Sequence, residues 1–298
     1  MTTSTNISLA CVALACVSIL AAPANAADLG NYGGSVKDSY APAPMAAAGN
    51  CYIRGDAGYS LSGDPDVTWP VNNDVITFDA NGVVTNYTST HVTDQVANVS
   101  LQNTWLIEGG VGCGSGSRGF RGEIMLGVRG DRDLEGVPGD YTRTEIHAAA
   151  PPVVDPHIED PLHTSLTSYT LMLNGYKDLG NFGGFTPYVG AGIGVAYHIV
   201  DDVYFTGNPN LVNQIHGDRD IAFAWSLMAG VGYQLSQNTV LDLGYRYIDL
   251  GKATSERSDS AGFVNPRVNI DDIDAHEFKV GLRYHFGQSD CCSYQAMK

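Results

Sequence analysis

Charge is what this chain has least of. Asp, Glu, Lys and Arg make up only 16% of its 298 residues, and 32 acidic residues stand against 16 basic ones, for a formal net charge of -16. The shortage of Lys and Arg excludes a nucleic-acid binder, because phosphate recognition needs a basic surplus. Long apolar runs are also missing: after Asn50 none approaches the ~18 residues that a membrane-spanning helix requires. Helical periodicity studded with Lys and Glu is absent as well. What the chain has in quantity is 35 Gly, 16 Tyr and an ordinary 44% of hydrophobic residues. Disordered chains combine few aromatics with high charge, so this composition points to folded strands.

The start of the chain lacks charge altogether. Ile7 to Ala22 is nearly unbroken apolar sequence ending in Pro23-Ala24-Asn25-Ala26, so residues 1–26 read as a signal peptide cut before Ala27. Residues 27–50, with Ala41-Pro42-Ala43-Pro44, are polar and rich in Pro, Ala and Gly, and read as a flexible periplasmic tether.

From Cys51 onward the dominant pattern is alternation at period two. In Ile221–Leu235 the odd positions are Ile221, Phe223, Trp225, Leu227, Ala229, Val231, Tyr233 and Leu235, and the even ones are small or polar. Ala275–Phe286 sets Phe278, Val280, Leu282, Tyr284 and Phe286 against Glu277, Lys279, Gly281, Arg283 and His285. Eight such segments occur: Cys51–Ser62, Gln102–Cys113, Gly119–Gly130, Ser165–Leu179, Phe185–Ile199, Ile221–Leu235, Thr239–Leu250 and Ala275–Phe286. They exceed the five or six residues usual in soluble sheets and suit tilted strands that cross a bilayer in about 9 to 11 residues.

Connection lengths alternate too. The second, fourth and sixth are short (114–118, 180–184, 236–238), while the others run to roughly 39, 34, 21 and 24 residues. Short turns on one rim and long loops on the other predict an all-β fold, an eight-stranded antiparallel up-and-down transmembrane β-barrel spanning 51–286, followed by a periplasmic tail at 287–298. Outward aromatics gather at both strand ends. Tyr59, Trp105, Tyr169, Tyr197, Trp225, Tyr247 and Phe278 lie on the long-loop side, and Phe120, Phe185, Tyr233, Tyr284 and Phe286 on the other.

The same parity turns Arg54, Asp56, Glu108, Arg121, Glu123, Arg129, Asp242, Arg246, Glu277, Lys279 and Arg283 inward. Eight strands leave an interior only wide enough for side chains, so these groups are expected to pair into an ionic network that fills the barrel rather than line a pore. Gly190, Gly192, Gly194, Gly230, Gly232 and Gly281 also face inward and are expected to make room for the long arginines. Cys51 opens the first strand and Cys113 closes the second, which predicts a cross-strand disulfide in an oxidising compartment. Cys291 and Cys292 are vicinal, an arrangement that suits intermolecular bridging better than closure on each other.

Three further clusters carry weaker signals. Most of the histidines (His91, His147, His157, His163, His216 and His198 at a strand end) lie in or beside the long loops with no metal-site spacing. The carboxylates Asp201-Asp202 and Asp271-Asp272 with Asp274 offer oxygen ligands without a 12-residue calcium pattern. His163-Thr164-Ser165 near Glu159 and Asp160 is the only grouping that invites hydrolase chemistry, so neither catalysis nor a cofactor is expected.

The run Cys51-Tyr52-Ile53-Arg54-Gly55-Asp56-Ala57-Gly58-Tyr59-Ser60, the strand Leu241-Asp242-Leu243-Gly244-Tyr245-Arg246-Tyr247 and the ending Phe278–Phe286 resemble the small outer-membrane β-barrel proteins of alphaproteobacteria, relatives of the opacity proteins and of the OmpA membrane domain. The resemblance implies a structural envelope protein, with surface antigens, adhesins or haem binders among its members, and implies no enzyme. It also implies that Gly281, Tyr284 and Phe286 form the signal read by the barrel-assembly machinery, although Phe286 is normally terminal. A narrow porin-like channel remains the third alternative.

The acidity has a place. The four long connections together carry -15 of the net -16, which predicts an acidic outer rim that meets lipopolysaccharide phosphates through divalent cations or repels anionic ligands. A host or haem ligand would also bind there.

Overall fold

The computed structural model describes residues 51–114, 119–148, 150–157, 161–205, 214–259, 264 and 266–286. The expected signal peptide, tether and tail, with Cys291 and Cys292, lie outside the described residues. Sixteen strands follow in order: β1 (Cys51–Ser62), β2 (Asp66–Phe78), β3 (Val84–Gln95), β4 (Ala97–Leu101), β5 (Thr104–Gly114), β6 (Phe120–Val137), β7 (Tyr141–His147), β8 (Val153–His157), β9 (Leu162–Asp178), β10 (Phe185–Val200), β11 (Tyr204–Phe205), β12 (Arg219–Gln234), β13 (Thr239–Asp249), β14 (Ala253–Thr254), β15 (Asn269–Asp271) and β16 (Asp274–Phe286).

Eight of them close a barrel. The ladder runs β9-β10-β12-β13-β16-β1-β5-β6, and β6 pairs back onto β9, so the eight-stranded wall closes on itself, with the short β11 and β4 added to β9 and β6 on the loop side. Every wall pairing is antiparallel. The eight expected segments map onto these strands, with the β6–β9 hairpin running well beyond the bounds that the alternation suggested.

The wall is inside out. Its outward positions are large, apolar and exposed, among them Ile53, Ile107, Val111, Ile124, Leu126, Leu173, Ile193, Leu227, Leu243 and Val280. The alternate positions of the same strands are buried and include Arg54, Glu108, Glu123, Arg129, Arg246 and Glu277. Apolar area gains roughly 25 cal/mol per Å² on leaving water. A continuous apolar band around a wall whose inside is charged is the arrangement of a barrel that faces hydrocarbon.

Two aromatic rows bound the band. Trp105, Tyr59, Phe278 and Tyr245 sit side by side in the ladder. Tyr169 packs on Tyr197 and Trp225 on Tyr247, with ring centroids 6.4 and 5.6 Å apart. Near the short turns Phe185 meets Tyr233 at 4.7 Å, and Phe120 and Tyr284 are exposed. The turn between β9 and β10 is tight because Gly180, Gly183 and Gly184 adopt positive φ, and Asn181 Oδ1 accepts the Gly184 N–H at 2.9 Å.

The long loops are not irregular. They raise a second sheet, β14-β15-β2-β7-β8 with β3 on the far side of β2, in which β2 and β7 pair in parallel. One apolar core lies at the loop ends of the wall strands. It joins Leu134, Leu162, Leu166, Val200, Ala224, Ile248 and Leu250 to the loop residues Val67, Val96, Val203, Ile215, Val268, Ile270 and Ile273.

Candidate functional site

The lumen holds a network of buried ion pairs. On the short-turn side Glu123 receives Arg121 Nη1 at 2.6 Å, Arg54 Nη1 at 3.1 Å and the Tyr52 hydroxyl at 2.6 Å. Arg54 Nε also donates to Asp56 at 2.8 Å. Higher in the barrel Glu277 accepts Arg129 Nε and Arg246 Nε, both at 2.6 Å. Glu108 pairs with Arg246 and takes Lys279 Nζ at 2.7 Å. Lys279 lies 3.4 Å from Asp56 and so joins the two halves, while Arg283 pairs with Asp242.

All eleven inward residues named from the sequence are thus placed in ion pairs inside the wall. A buried charge left alone in low dielectric costs several kcal/mol, and a network in which carboxylates alternate with guanidinium groups removes most of that penalty. The result is a filled cross-section.

Four contributors were not named from the sequence: Asp178, Tyr176 and Tyr188 share the inward parity of β9 and β10, and only Arg132 lies beyond the alternation. Asp178 receives Arg121 Nε at 3.1 Å. Tyr176 and Tyr188 hold the Arg121 guanidinium against their rings, at 4.1 and 4.5 Å. Arg132, assigned by the loop boundaries to the acidic outer rim, is instead fully buried. The cause is a β-bulge: Arg129 faces Ser168 and Arg132 faces Leu166, so β6 spends three steps where β9 spends two. Inward parity changes from odd to even numbers, and Arg132 and Leu134 turn in. Arg132 donates to Ser168 Oγ at 2.6 Å, and that hydroxyl meets His198 Nδ1 at 2.9 Å.

The lumen glycines need correcting as a group. A side chain at Gly190 or Gly230 would strike the Tyr176 or Tyr188 ring, at Gly192 Asn174 and Ser226, and at Gly194 Met172; only Gly232 faces an arginine, Arg283. Two of the six, Gly190 and Gly230, make room for tyrosines, and one for an arginine. A Cβ at Gly281 would overlap Asp56 Oδ1, so this glycine has a packing reason of its own. Tyr284 and Phe286 point outward on β16, which lies against β1.

Cys51 and Cys113 stand opposite one another across β1 and β5 and are disulfide-bonded. The weaker clusters fare differently. Ser165 Oγ bonds Asp201 Oδ2 at 2.8 Å while His163 Nδ1 lies 3.3 Å from Glu135, so no Ser–His relay forms; Glu159 and Asp160 lie outside the described residues. Asp272 and Asp274 join Asp64, Asp66, Asp249 and Tyr247 around a recess of about 310 Å³. Among the described residues no group has metal-holding geometry.

The profile of the outer membrane protein beta-barrel domain family matches residues 10–286. An uncharacterized protein of Brucella abortus is 30% identical over 276 residues, covering 83% of this chain and 88% of that protein. A candidate adhesin of Rickettsia rickettsii is 24% identical over 196 residues, covering 64% of this chain and 80% of its own length. Among solved structures, the outer membrane protein OprG from Pseudomonas aeruginosa superposes with a TM-score of 0.47 at 14% identity, over 81% of this chain and 99% of that one.

Proposed function

Because the chain belongs to the outer membrane protein β-barrel family, we propose that it is a closed structural barrel of the bacterial outer membrane, with its acidic loop assembly as the part that meets the surroundings. The observation that carries this reading is the pair of seals inside the wall. The ionic network fills the lumen from the short-turn side, and the apolar core of loop and strand residues covers the other end. Ions crossing this barrel would have to break buried pairs and then pass through a dry layer.

Planar bilayers containing the purified protein test it: the expected result is no steady conductance, and large single-channel steps would overturn it. Heat-dependent migration on a denaturing gel checks independently that the barrel is folded.

A second reading, surface adhesion, is favoured by one feature. The long loops build a sheet of their own, separate from the wall sheet, and a relative is described as a candidate adhesin. Lipopolysaccharide is the constant neighbour of such a rim, and divalent cations would join its phosphates to the loop carboxylates. The outward Tyr284 and Phe286 on the last strand support recognition by the assembly machinery. Haem gains no comparable support: His163 is stacked on Tyr204 and His147 on Phe78, and His198 is buried. This reading assigns the chain no catalytic role.

A further inference from the structure

Strand edges are a liability that proteins manage with Pro, Lys, inward charge or shortness. The wall of this molecule has none, because it closes on itself. In the loop sheet β8 ends one side with only five residues, and Pro156 is among them. β14 and β15 are shorter still. β3 is different. It runs for 12 residues, Val84–Gln95, contains neither Pro nor Lys, and has a single acidic residue, Asp94, near its end. Among the described residues its only strand neighbour is β2.

The rest of the geometry keeps that edge presentable. Register shifts occur at both ends of the β2–β3 ladder, but Asn86 to His91 pair without interruption with Asn72 to Thr77. The hairpin tip is fixed by Asp79, whose carboxylate accepts the N–H groups of Val83 and Asn81, each at 2.8 Å. These two bonds hold its carboxyl below the usual carboxylate range. The Tyr87 hydroxyl donates to Asp74 at 2.9 Å, bracing the two strands. Apart from Thr93, every residue of β3 is exposed. Gly139 lies against Thr93 near the end of the strand, and Asn86–His91 stay exposed among the described residues.

We propose that the free edge of β3 captures an extended, basic polypeptide segment of another protein by strand addition, with the segment pairing along Asn86–His91. The mode is main-chain pairing, since β3 offers small polar side chains such as Thr88, Ser89 and Thr90 that form no selective pockets. The sign of the partner follows from charge. The connection that carries β2 and β3, residues 63–101, holds five Asp and no Lys or Arg. A second copy of this chain would bring the same acidity edge to edge and is repelled, whereas a Lys- or Arg-rich segment is attracted. The proposal rests on the reading that the loops face the cell exterior.

The test uses the full chain refolded in detergent micelles and a fluorescent peptide of about 12 residues alternating Lys and Thr. The expected result is saturable binding that weakens about tenfold or more when consecutive peptide nitrogens along the middle of the peptide are methylated, a change that removes strand-pairing donors from both of its edges and keeps every charge. Thr88→Pro and Ser89→Pro separate the two sides of β3, because neighbouring residues aim their N–H groups in opposite directions. One of the two should lose peptide binding while the heat-dependent gel shift stays intact. Ser89→Lys, which adds an edge guard without disturbing the ladder, should weaken binding as well.

Equal binding of the methylated and parent peptides would reduce the contact to plain charge attraction and overturn the proposal. So would concentration-dependent dimers that exclude the peptide, since the edge would then belong to a second copy. Binding to purified protein does not depend on which way the loops face in the cell. Protease shaving of intact cells tests that orientation separately, so the two failures are distinguishable.

Discussion

Two arginines in the same lumen have opposite energetic meaning. Arg246 lies between Glu108 and Glu277 and is fully buried with both. Arg246→Met would leave two buried carboxylates sharing fewer cations, and such an uncompensated charge costs about 3–5 kcal/mol. Arg132 is equally buried, but its partners are the hydroxyls of Ser168 and Ser62, its Nε has no bonding partner, and the next inward residue is the apolar core member Leu134. Replacing a poorly compensated buried ion by an apolar side chain of similar volume is often neutral or stabilising by about 1–4 kcal/mol, so Arg132→Met should match or exceed the parent protein. Urea titration of the refolded protein in micelles, followed by tryptophan fluorescence, reads both variants. Equal losses from the two would refute the distinction. The contrast also marks where sequence patterning stops. Arg246 was legible because β13 alternates without interruption, while Arg132 was hidden by a one-residue bulge that reverses parity and leaves no signature in residue type.

Among the elements, β1 and β5 were readable from their periodicity and their shared rim from the turn lengths, and together these placed Cys51 against Cys113. The covalent link encloses a sequence separation of 62 residues that contains β2, β3 and β4. Cross-links over loops of this size typically contribute about 2–4 kcal/mol, largely by restricting the unfolded chain. The double variant Cys51→Ser/Cys113→Ser should therefore fold and keep its heat-dependent gel shift but unfold at lower urea, and parent protein should take up a thiol-alkylating reagent at these two positions only after reduction. Alkylation without reductant would show that the bond does not form. The loop strands were illegible for a physical reason. A strand reveals itself by a difference between its two faces, and β3 has none: Tyr87 and Val92 are as exposed as Thr88 and Ser89. The parallel β2–β7 pairing unites two connections far apart in sequence, and no local pattern encodes that.

At the scale of the whole molecule, the low charge fraction and the acidic excess resolve into three zones of different solvent. Carboxylates on the loops face water, paired ions fill the lumen, and an uncharged apolar face wraps the wall. The partition predicts that one substitution will have opposite consequences in two media. Ile124 points outward from β6, roughly midway between Phe120 at the short-turn rim and the level of Tyr169, which pairs with Val128. It is 54% exposed and lies in the ladder beside Val111 and Leu173, which also face outward. On a water-facing barrel, Ile124→Arg would be close to neutral, because an exposed side chain loses little on becoming polar. On a lipid-facing wall, an Arg near the bilayer midplane costs about 2–4 kcal/mol. Folding titrations in lipid vesicles should therefore show that loss for Ile124→Arg, while Thr90→Arg on β3 leaves the folding free energy within about 0.5 kcal/mol of the parent. The same Ile124→Arg protein in short-chain detergent micelles, where the head groups lie close to the wall, should recover part of the difference. If Ile124→Arg folded into vesicles as readily as the parent, the apolar face would not be the lipid contact, and the reason for its low charge would have to be sought in a protein partner instead.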